Sequence, residues 1–216
     1  METALAADCP ACGGAMSAGR AGVCMPCWEE VDRSGGVGGG TRRLPGRPLA
    51  SITSLGGYEG RLRRIIRCMK FSDMPGLAAP LAERLAARLV DEPVGFELIV
   101  PVPLHWARRW RRGYNQAELL ARAVARATGR PVACGALRRA RATPSQTGRS
   151  REERVASVRG AFRAGRQSIE GVPLLLIDDV VTTGATLAEC ARVLNAAGAR
   201  RVDAAAVART PSRIQS

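Results

Sequence analysis

Two adjacent carboxylates, Asp178 and Asp179, follow a run of aliphatic residues in the segment LLLIDDVVTTGATLAECARVL, residues 174–194. The run predicts a buried strand that stops at the two acids, and a helical pattern begins at Thr186. A helix start attracts phosphate through its backbone N–H groups and its dipole, whereas carboxylates attract hydroxyl groups or a divalent cation. A phosphorylated sugar carries both kinds of group. The segment is therefore predicted to bind a sugar phosphate, with Gly184 allowing close approach of the backbone.

A dense group of arginines follows a second predicted strand, at 96–102. It lies in the stretch HWARRWRRGYNQA, in which Gly113 breaks the run and Asn115 is the predicted N-cap of the next helix. Because this segment also follows the carboxyl end of a strand, it is expected to face the same crevice and to attract pyrophosphate. A solvated basic loop is the alternative, and His105, the only histidine, is weak support for acid–base catalysis. The arginines are Arg108, Arg109, Arg111 and Arg112.

Four cysteines near the N-terminus form two Cys-x-x-Cys pairs, Cys9 with Cys12 and Cys24 with Cys27. Four thiolates at this spacing are typical of tetrahedral Zn²⁺, and about 30 residues cannot build a core alone, so structural zinc is predicted. An iron–sulfur cluster stays open as the alternative. The other three cysteines lie on apolar faces and are predicted to be small core residues: Cys68, Cys134 and Cys190.

The elements that must position these residues alternate between helix and strand. Strands are predicted at 96–102, 173–178 and 201–208, and helices at 75–90, 115–129 and 186–197. An earlier helix has an apolar face made of Leu62, Ile65, Ile66 and Met69. The alternation predicts an α/β fold with a mostly parallel sheet.

The composition divides the chain into three parts. Residues 1–31 form the cysteine module, the Gly- and Pro-rich stretch 32–50 is predicted to be a flexible linker, and residues 51–216 form the main domain. The N-terminus lacks the features of a secretory signal, and no transmembrane segment is predicted, so the expected location is cytoplasmic.

The chain is strongly basic, with a net charge of +14 and a pI near 11.1, and Lys70 is its only lysine among 33 basic residues. A basic chain of this size favours anionic partners such as nucleotides, sugar phosphates or nucleic acid. A basic solvated surface without a specific partner is the alternative.

The segment IDDVVTTGATL resembles the signature of type I phosphoribosyltransferases, which bind 5-phosphoribosyl-1-pyrophosphate (PRPP). Three further segments are similar to the competence protein F (ComF) family of that superfamily: PVPLH…RGYNQA, YEGRLRRIIRCMKFSD and LRRARATPSQTGRSREERVASVRGAF. The resemblance covers nearly the whole chain, including the cysteine module. One departure is Ser157, where the family often has Asn.

The resemblance implies a type I phosphoribosyltransferase-like sheet flanked by helices, with a small N-terminal zinc module. It implies that Asp178 and Asp179 are the catalytic acids and hold the ribose hydroxyls, and that Mg²⁺ accompanies PRPP. The residues that it assigns to PRPP are Thr182, Thr183, Gly184, Ala185, Thr186, Arg108, Arg112, Gly113 and Lys70. The residues that it assigns to a flexible loop near 138–157 are Arg141, Thr143 and Gln146.

Two functional hypotheses follow. In the first, the chain transfers a phosphoribosyl group from PRPP, and the acids stabilise an oxocarbenium-like transition state. In the second, the fold is a non-catalytic scaffold whose zinc module and arginines bind single-stranded DNA through its phosphates. The ComF resemblance implies a part in DNA uptake, alongside the uptake machinery at the inner face of the membrane. For Lys70, an exposed helix-end lysine is the alternative to a ligand contact.

Overall fold

The structure is a computed structural model that describes residues 8–16, 22–34, 39–91, 94–104, 110, 113–141 and 151–210. Helices and strands alternate along these residues, as the sequence predicts. The strands are β1 (Gly40–Arg43), β2 (Ser51–Gly57), β3 (Leu98–Pro101), β4 (Leu137–Arg139), β5 (Phe162–Ala164), β6 (Pro173–Val181) and β7 (Arg201–Arg209). The α-helices are α1 (Met25–Ser34), α2 (Gly60–Phe71), α3 (Ala78–Asp91), α4 (Gln116–Thr128), α5 (Arg151–Val158) and α6 (Ala185–Ala196).

A five-stranded sheet organises the main domain, with strand order β1-β2-β7-β6-β3. β2, β7, β6 and β3 are parallel, and β1 pairs antiparallel with β2 at one edge. A separate antiparallel pair joins β4 to β5. The prediction of an α/β fold with a mostly parallel sheet is confirmed. The carboxyl ends of the four parallel strands lie at one edge of the sheet, where ligands bind in such folds.

The sheet is covered on both faces, which explains why β6 is an unbroken aliphatic run rather than an alternating one. Leu175 and Ile177 pack into the cluster that holds the apolar faces of α2, α3 and α4. Leu174 and Leu176 pack on the opposite face, in the cluster that holds Leu187 of α6. Successive residues of β6 therefore serve opposite halves of the core.

Local signals in the sequence fix the helices near this edge. The predicted apolar face of α2 is confirmed, because Leu62, Ile65, Ile66 and Met69 are all buried. The predicted cap of α4 is also confirmed: the Asn115 side chain accepts a hydrogen bond from the backbone N–H of Ala117, at 3.2 Å. The helix predicted at 75–90 begins with a 3-10 turn, Pro75–Leu77, and continues as α3.

The stretch predicted to be a flexible linker differs from that prediction. α1 continues to Ser34, and Gly40–Arg43 form β1, an edge strand of the main sheet. The hydroxyls of Thr41 and Thr53 lie 2.7 Å apart across this pairing. Composition alone does not reveal such a strand, because an edge strand is held by the backbone of its neighbour and needs few apolar side chains.

The three cysteines outside the Cys-x-x-Cys pairs do not share one environment. Cys190 is buried, which confirms the prediction of a core residue, but Cys134 is exposed and Cys68 is half-buried. The prediction is wrong for Cys134 because it lies in a turn between the Val132 bridge and β4, outside any regular element with an apolar face.

Candidate functional site

β6 runs through the two acids and extends beyond its neighbour β3. β3 ends at Pro101, which pairs with Ile177, whereas β6 continues alongside β7 to the pairing of Val181 with Arg209. The prediction that the strand stops at the acids is therefore wrong. Asp178 and Asp179 lie inside β6, on the part that β3 does not cover. We call residues 178–186, from the first acid to the start of α6, the acid edge.

The two acids of the acid edge point to opposite faces of the sheet, because side chains alternate along a strand. Asp179 continues the side that carries Leu175 and Ile177 and faces the layer of α2. Asp178 continues the side that carries Leu174 and Leu176 and faces the layer of α6. Neighbours in the chain thus occupy two different environments.

On the α2 face, Lys70 forms an ion pair with Asp179, with 2.9 Å between Nζ and Oδ1. Only 17% of the Lys70 side chain and 13% of the Asp179 side chain are exposed, so the alternative of an exposed helix-end lysine is ruled out. The Tyr114 hydroxyl donates to the backbone carbonyl of Met69, which precedes Lys70. The structure therefore brings the only lysine, and the turn that follows the arginine-rich segment, to the same end of α2.

On the α6 face, the Asp178 carboxylate accepts the backbone N–H of Asp179, at 2.8 Å. Burial of the carboxylate and the adjacent Asp179 charge raise the pKa of Asp178 to about 7, although that hydrogen bond and the charges of Lys70 and Arg139 lower it in part. Protons therefore compete with any cation or hydroxyl group for this carboxylate near neutral pH.

Arg139 is a site residue that the sequence reasoning missed. It lies in β4, its guanidinium lies 5.2 Å from the centre of the Phe162 ring, and its charge acts on Asp178. The sequence offered no signal for it, because Leu137, Arg138 and Arg139 do not alternate between apolar and polar residues. A three-residue strand gives too few positions for a period of two to be recognised.

Glu189 was also missed, and it joins α6 to the β4–β5 region. It is buried to 8% exposure, and it accepts the backbone N–H of Gly160 at 2.8 Å and the guanidinium of Arg192 at 2.8 Å. These donors, above all Arg192, hold the pKa of Glu189 below its usual range. Glu189 thereby fixes the turn before β5, whose first residue packs against Arg139.

The loop of the acid edge turns sharply before α6. Gly184 has φ of 77°, in the left-handed region that favours glycine, and α6 begins at the next residue. The Thr183 hydroxyl accepts the backbone N–H of Ala185 at 3.3 Å. Thr182 is exposed, and the loop residues 183–186 are half-buried. The carboxylates and the start of the helix are thus consecutive along one short stretch of chain.

The four N-terminal cysteines form a compact cluster. Their sulfur atoms all lie within 4.8 Å of one another, with 4.0 Å between Cys9 and Cys27 and 3.6 Å between Cys12 and Cys24. Four thiolates around a tetrahedral Zn²⁺ stand about 3.8 Å apart, given a metal–sulfur distance of about 2.3 Å. The cluster therefore has the donors and the size that a metal ion requires.

The thiols of the cluster affect each other's ionisation. Burial raises the pKa of Cys9, but hydrogen bonds from backbone N–H groups, that of Cys24 first, outweigh it and bring the value to about 6. Burial and the neighbouring thiols raise the pKa of Cys27. Four thiolates cannot coexist in this space without a positive charge between them, which a metal ion supplies.

Several predicted site residues are not among those that the structure describes. Besides the acid edge and the four cysteines, the structure describes Gly113, Lys70 and Arg141, and Arg141 donates to the backbone carbonyls of Ser157 and Arg159, at 3.2 and 3.0 Å. Arg141 therefore joins the two ends of the predicted flexible loop. The residues that lie outside the described part are His105, Arg108, Arg109, Arg111, Arg112, Thr143 and Gln146.

Helices in the described ranges are all too short or too polar to cross a lipid bilayer.

Comparison with known proteins places this chain in a family. The model for the phosphoribosyl transferase domain matches residues 76–215 of the chain. The DNA utilization protein YhgH of Salmonella typhi is 32% identical over 207 residues, which cover 88% of this chain and 91% of that protein. Competence protein F of Haemophilus influenzae is 32% identical over 162 residues, covering 72% of this chain and 71% of that protein.

Among solved structures, the glutamine PRPP amidotransferase from B. subtilis in complex with ADP and GMP is similar, with a TM-score of 0.44 and 22% identity. The match covers 65% of this chain and 30% of that one, so the chain spans less than a third of that protein's length. The domain model over more than half of the chain, and relatives above 30% identity over most of their length, show that the chain belongs to the competence protein F family of the phosphoribosyltransferase superfamily.

Proposed function

We propose that the chain binds PRPP together with Mg²⁺ at the acid edge. The observation that carries this proposal is the continuous order of Asp178, Asp179, the Gly184 turn and the start of α6, on a part of β6 that β3 leaves uncovered. Asp178 and Asp179 would hold the ribose hydroxyls. Residues 182–186 would hold the 5′-phosphate through backbone N–H and threonine hydroxyl groups.

Positive charges near the acid edge suit the pyrophosphate of this ligand. Lys70 lies at the end of α2. Tyr114, whose hydroxyl donates to the Met69 carbonyl at that end, directly follows in the sequence the segment that contains Arg108, Arg112 and Gly113. A pyrophosphate group would compete with Asp179 for Lys70, because both are anions that need the same ammonium group. Mg²⁺ would neutralise part of the pyrophosphate charge. Oxygen atoms of PRPP and of the two carboxylates would bind the ion.

Transfer of the phosphoribosyl group is the reaction that such a site can support. Bond cleavage at the ribose C1 atom places positive charge on the sugar, which the carboxylates of Asp178 and Asp179 would stabilise. Asp178 can do so only in its ionised form, so its raised pKa makes the reaction sensitive to pH near neutrality. The segment that Arg141 closes at its base would cover the bound ligand.

The relatives carry names that refer to DNA utilization and competence. Because of these names, we propose that the chain takes part in the handling of incoming DNA on the cytoplasmic side of the membrane. The described cysteines are free thiols, which suits a reducing compartment, and the four clustered ones would hold structural Zn²⁺.

Binding of single-stranded DNA is the second candidate function. Two exposed aromatic side chains favour it: Trp110 is 86% exposed and Phe71 is 67% exposed, with the Arg67 guanidinium 5.8 Å from the Phe71 ring. Exposed aromatic rings beside arginines can stack bases while the charges contact phosphates. This activity would be a property of the basic surface and compatible with PRPP as a second ligand.

Calorimetric titration with PRPP and Mg²⁺ tests the first proposal. We expect binding that requires Mg²⁺ and that weakens at least about tenfold, or about 1.4 kcal/mol, in Asp178→Asn. Asp91→Asn is the matched control, because Asp91 is an exposed acid at the end of α3. Equal affinity in Asp178→Asn and in the unchanged chain would contradict the assignment of this site.

Two further ligands separate the candidate functions. Ribose 5-phosphate should bind more weakly than PRPP, because it lacks the pyrophosphate. A single-stranded oligonucleotide should bind with an affinity that falls steeply with salt and that decreases in Trp110→Ala, independently of Asp178→Asn. Oligonucleotide binding without any PRPP binding would make the fold a scaffold and leave the basic surface as the functional part.

A further inference from the structure

α2 connects the cysteine cluster to the acid edge, and hydrogen bonds hold each of its ends. At the first end, Arg61 and Arg64 both donate to the backbone carbonyl of Ala11, at 3.0 and 3.1 Å. Ala11 lies between Cys9 and Cys12, so these two guanidinium groups contact the first Cys-x-x-Cys turn itself. Arg61 also pairs with Glu30 of α1, at 3.2 Å.

Apolar packing strengthens this first contact. Cys9, Ala11, Cys27, Trp28 and Val31 belong to the same buried cluster as the inward face of α2. The cysteine module therefore has no core separate from the main domain, and its inner surface is one wall of the packing around α2. In the residues that the structure describes, the module is a structural part of the domain that carries the acid edge.

A neighbouring contact attaches the module to α3. The Arg84 guanidinium lies 4.3 Å from the centre of the Trp28 ring and donates to both carboxylate oxygens of Asp32, at 2.7 and 3.1 Å. A stacked and bidentate arginine restrains orientation more than a single contact does. The module is thus held against both α2 and α3.

At its other end, α2 supplies two contacts to the acid edge and its surroundings. Met69 accepts the Tyr114 hydroxyl, and Lys70 pairs with Asp179. Arg61 and Lys70 are separated by about 14 Å along the helix axis, at about 1.5 Å per residue. A rigid helix of this length transmits a tilt at one end to the ammonium group at the other.

We propose that the metal-bound cysteine cluster is a positioning device for the acid edge, acting through α2. Metal binding fixes the Cys9–Cys12 turn, the carbonyl of Ala11 in that turn fixes Arg61 and Arg64, and α2 then holds Lys70 against Asp179. Arg61, Arg64 and Tyr114 are positioning residues in this scheme. The proposal rests on the proposed function only where it concerns PRPP affinity, because the mechanical link between the two sites is independent of any ligand.

Backbone hydrogen exchange of the full chain tests the mechanical link without PRPP. We compare the Zn²⁺-loaded protein with the same protein after the metal is removed by a chelator under reducing conditions. We expect exchange at residues 66–71, the second half of α2, to increase at least about tenfold, while residues 174–177 of β6 stay protected. An increase confined to residues 8–34 would overturn the proposal. So would an equal increase in β6 and α2, because the metal would then be needed for the whole fold.

A pair of arginine variants tests the route with the metal in place. Arg64→Ala removes one donor to Ala11, and Arg67→Ala removes the same charge one turn away, where the side chain lies over Phe71 instead. We expect Arg64→Ala to increase exchange at residues 66–71 about threefold or more and Arg67→Ala to leave it unchanged. Equal effects of the two variants would overturn the route through Ala11.

Measurement of PRPP affinity then tests whether the mechanical link affects ligand binding at the acid edge. We expect removal of the metal to weaken PRPP binding about tenfold and Arg64→Ala to weaken it less. If the exchange results hold and PRPP affinity does not change, the acid edge is positioned by the metal but does not bind PRPP through Lys70. If the unchanged protein binds no PRPP at all, the proposed function fails while the exchange experiment still decides the mechanical link.

Discussion

Asp178 and Asp179, adjacent residues on opposite faces of β6, have different surroundings. On one face, Asp179 is neutralised by Lys70, which α2 brings to within 2.9 Å. On the other face, Asp178 lies against α6 and β4, and its pKa rises to about 7 because of burial and the nearby charge of Asp179. The two carboxylates are equivalent in the sequence motif. In the fold, Asp179 has a cation beside it, whereas Asp178 is buried and has a raised pKa.

This difference assigns the acids separate tasks in the proposed site. Through its ion pair with Lys70, Asp179 links the bound ligand to α2 and the cysteine cluster. An acid that titrates near neutrality can accept a hydroxyl hydrogen bond or a cation only after it loses its proton. Two kinds of variant therefore test this difference: one removes the cation that pairs with Asp179, and the other removes the charge of Asp178.

Replacement of the lysine should have the largest effect. Lys70→Met leaves Asp179 half-buried, without its cation and beside Asp178, so we expect a loss of about 2–4 kcal/mol in the free energy of unfolding at pH 8. Urea unfolding measures this loss. At pH 5 the loss should be smaller, because protonation of one carboxyl relieves the repulsion.

The double variant Lys70→Met/Asp179→Asn is the control for this prediction. It removes both charges, so we expect it to recover most of the stability that Lys70→Met loses. Arg67→Met changes a basic residue of the same helix that is exposed and should cost little. A double variant as unstable as Lys70→Met would mean that the lysine stabilises α2 by packing rather than through Asp179.

Replacement of Asp178 should change the free energy of unfolding less than replacement of Lys70, and the change should depend on pH. The folded chain binds the Asp178 proton more tightly than the unfolded chain, so the unchanged protein loses stability as pH rises from about 4 to about 7. Asp178→Asn cannot titrate and avoids this loss. We expect its stability relative to the unchanged chain to increase by about 1–3 kcal/mol between pH 5 and pH 8.

Urea unfolding at several pH values measures that difference. Asp91→Asn, which replaces an exposed acid, should show no such change over the same range. A relative stability of Asp178→Asn that does not vary with pH would mean that Asp178 ionises normally in the folded chain. The contrast between the two faces would then be lost.

The sequence predicted the order of the elements better than it predicted the surroundings of the acids. The period of Leu62, Ile65, Ile66 and Met69 gave the buried face of α2 correctly, because burial follows local spacing. The extension of β6 past Asp179 depends on pairing with β7, a contact between distant parts of the chain. Local hydropathy cannot report such a contact.

The residues that contact Asp178 and Asp179 could not be predicted from the sequence either, because they come from distant parts of the chain. Lys70 was a candidate through the family resemblance of its segment, but its pairing with one acid rather than both follows from the alternation of side chains along β6. Arg139 acts from a strand of three residues, which gives no periodic signal. The cysteine spacing, in contrast, predicted a cluster that the structure brings within 4.8 Å, because all four donors lie close in the sequence.

The smallest expected effect concerns the turn that follows the acids. Gly184 has φ of 77°, and a Cβ atom there would lie 4.0 Å from Val181, so an alanine has space but takes up a strained backbone conformation. We expect Gly184→Ala to cost about 1 kcal/mol in the free energy of unfolding, with no dependence on pH. Gly95→Ala is the matched control, since Gly95 has no positive φ and no atom within 4 Å of a new Cβ. The turn joins the Asp178 face to the start of α6, where the 5′-phosphate is proposed to bind. We therefore expect Gly184→Ala to reduce the free energy of PRPP binding by more than the free energy of unfolding. Equal PRPP affinity in Gly184→Ala and Gly95→Ala would separate the phosphate from this turn and leave the acids as the only contacts of the acid edge with the ligand.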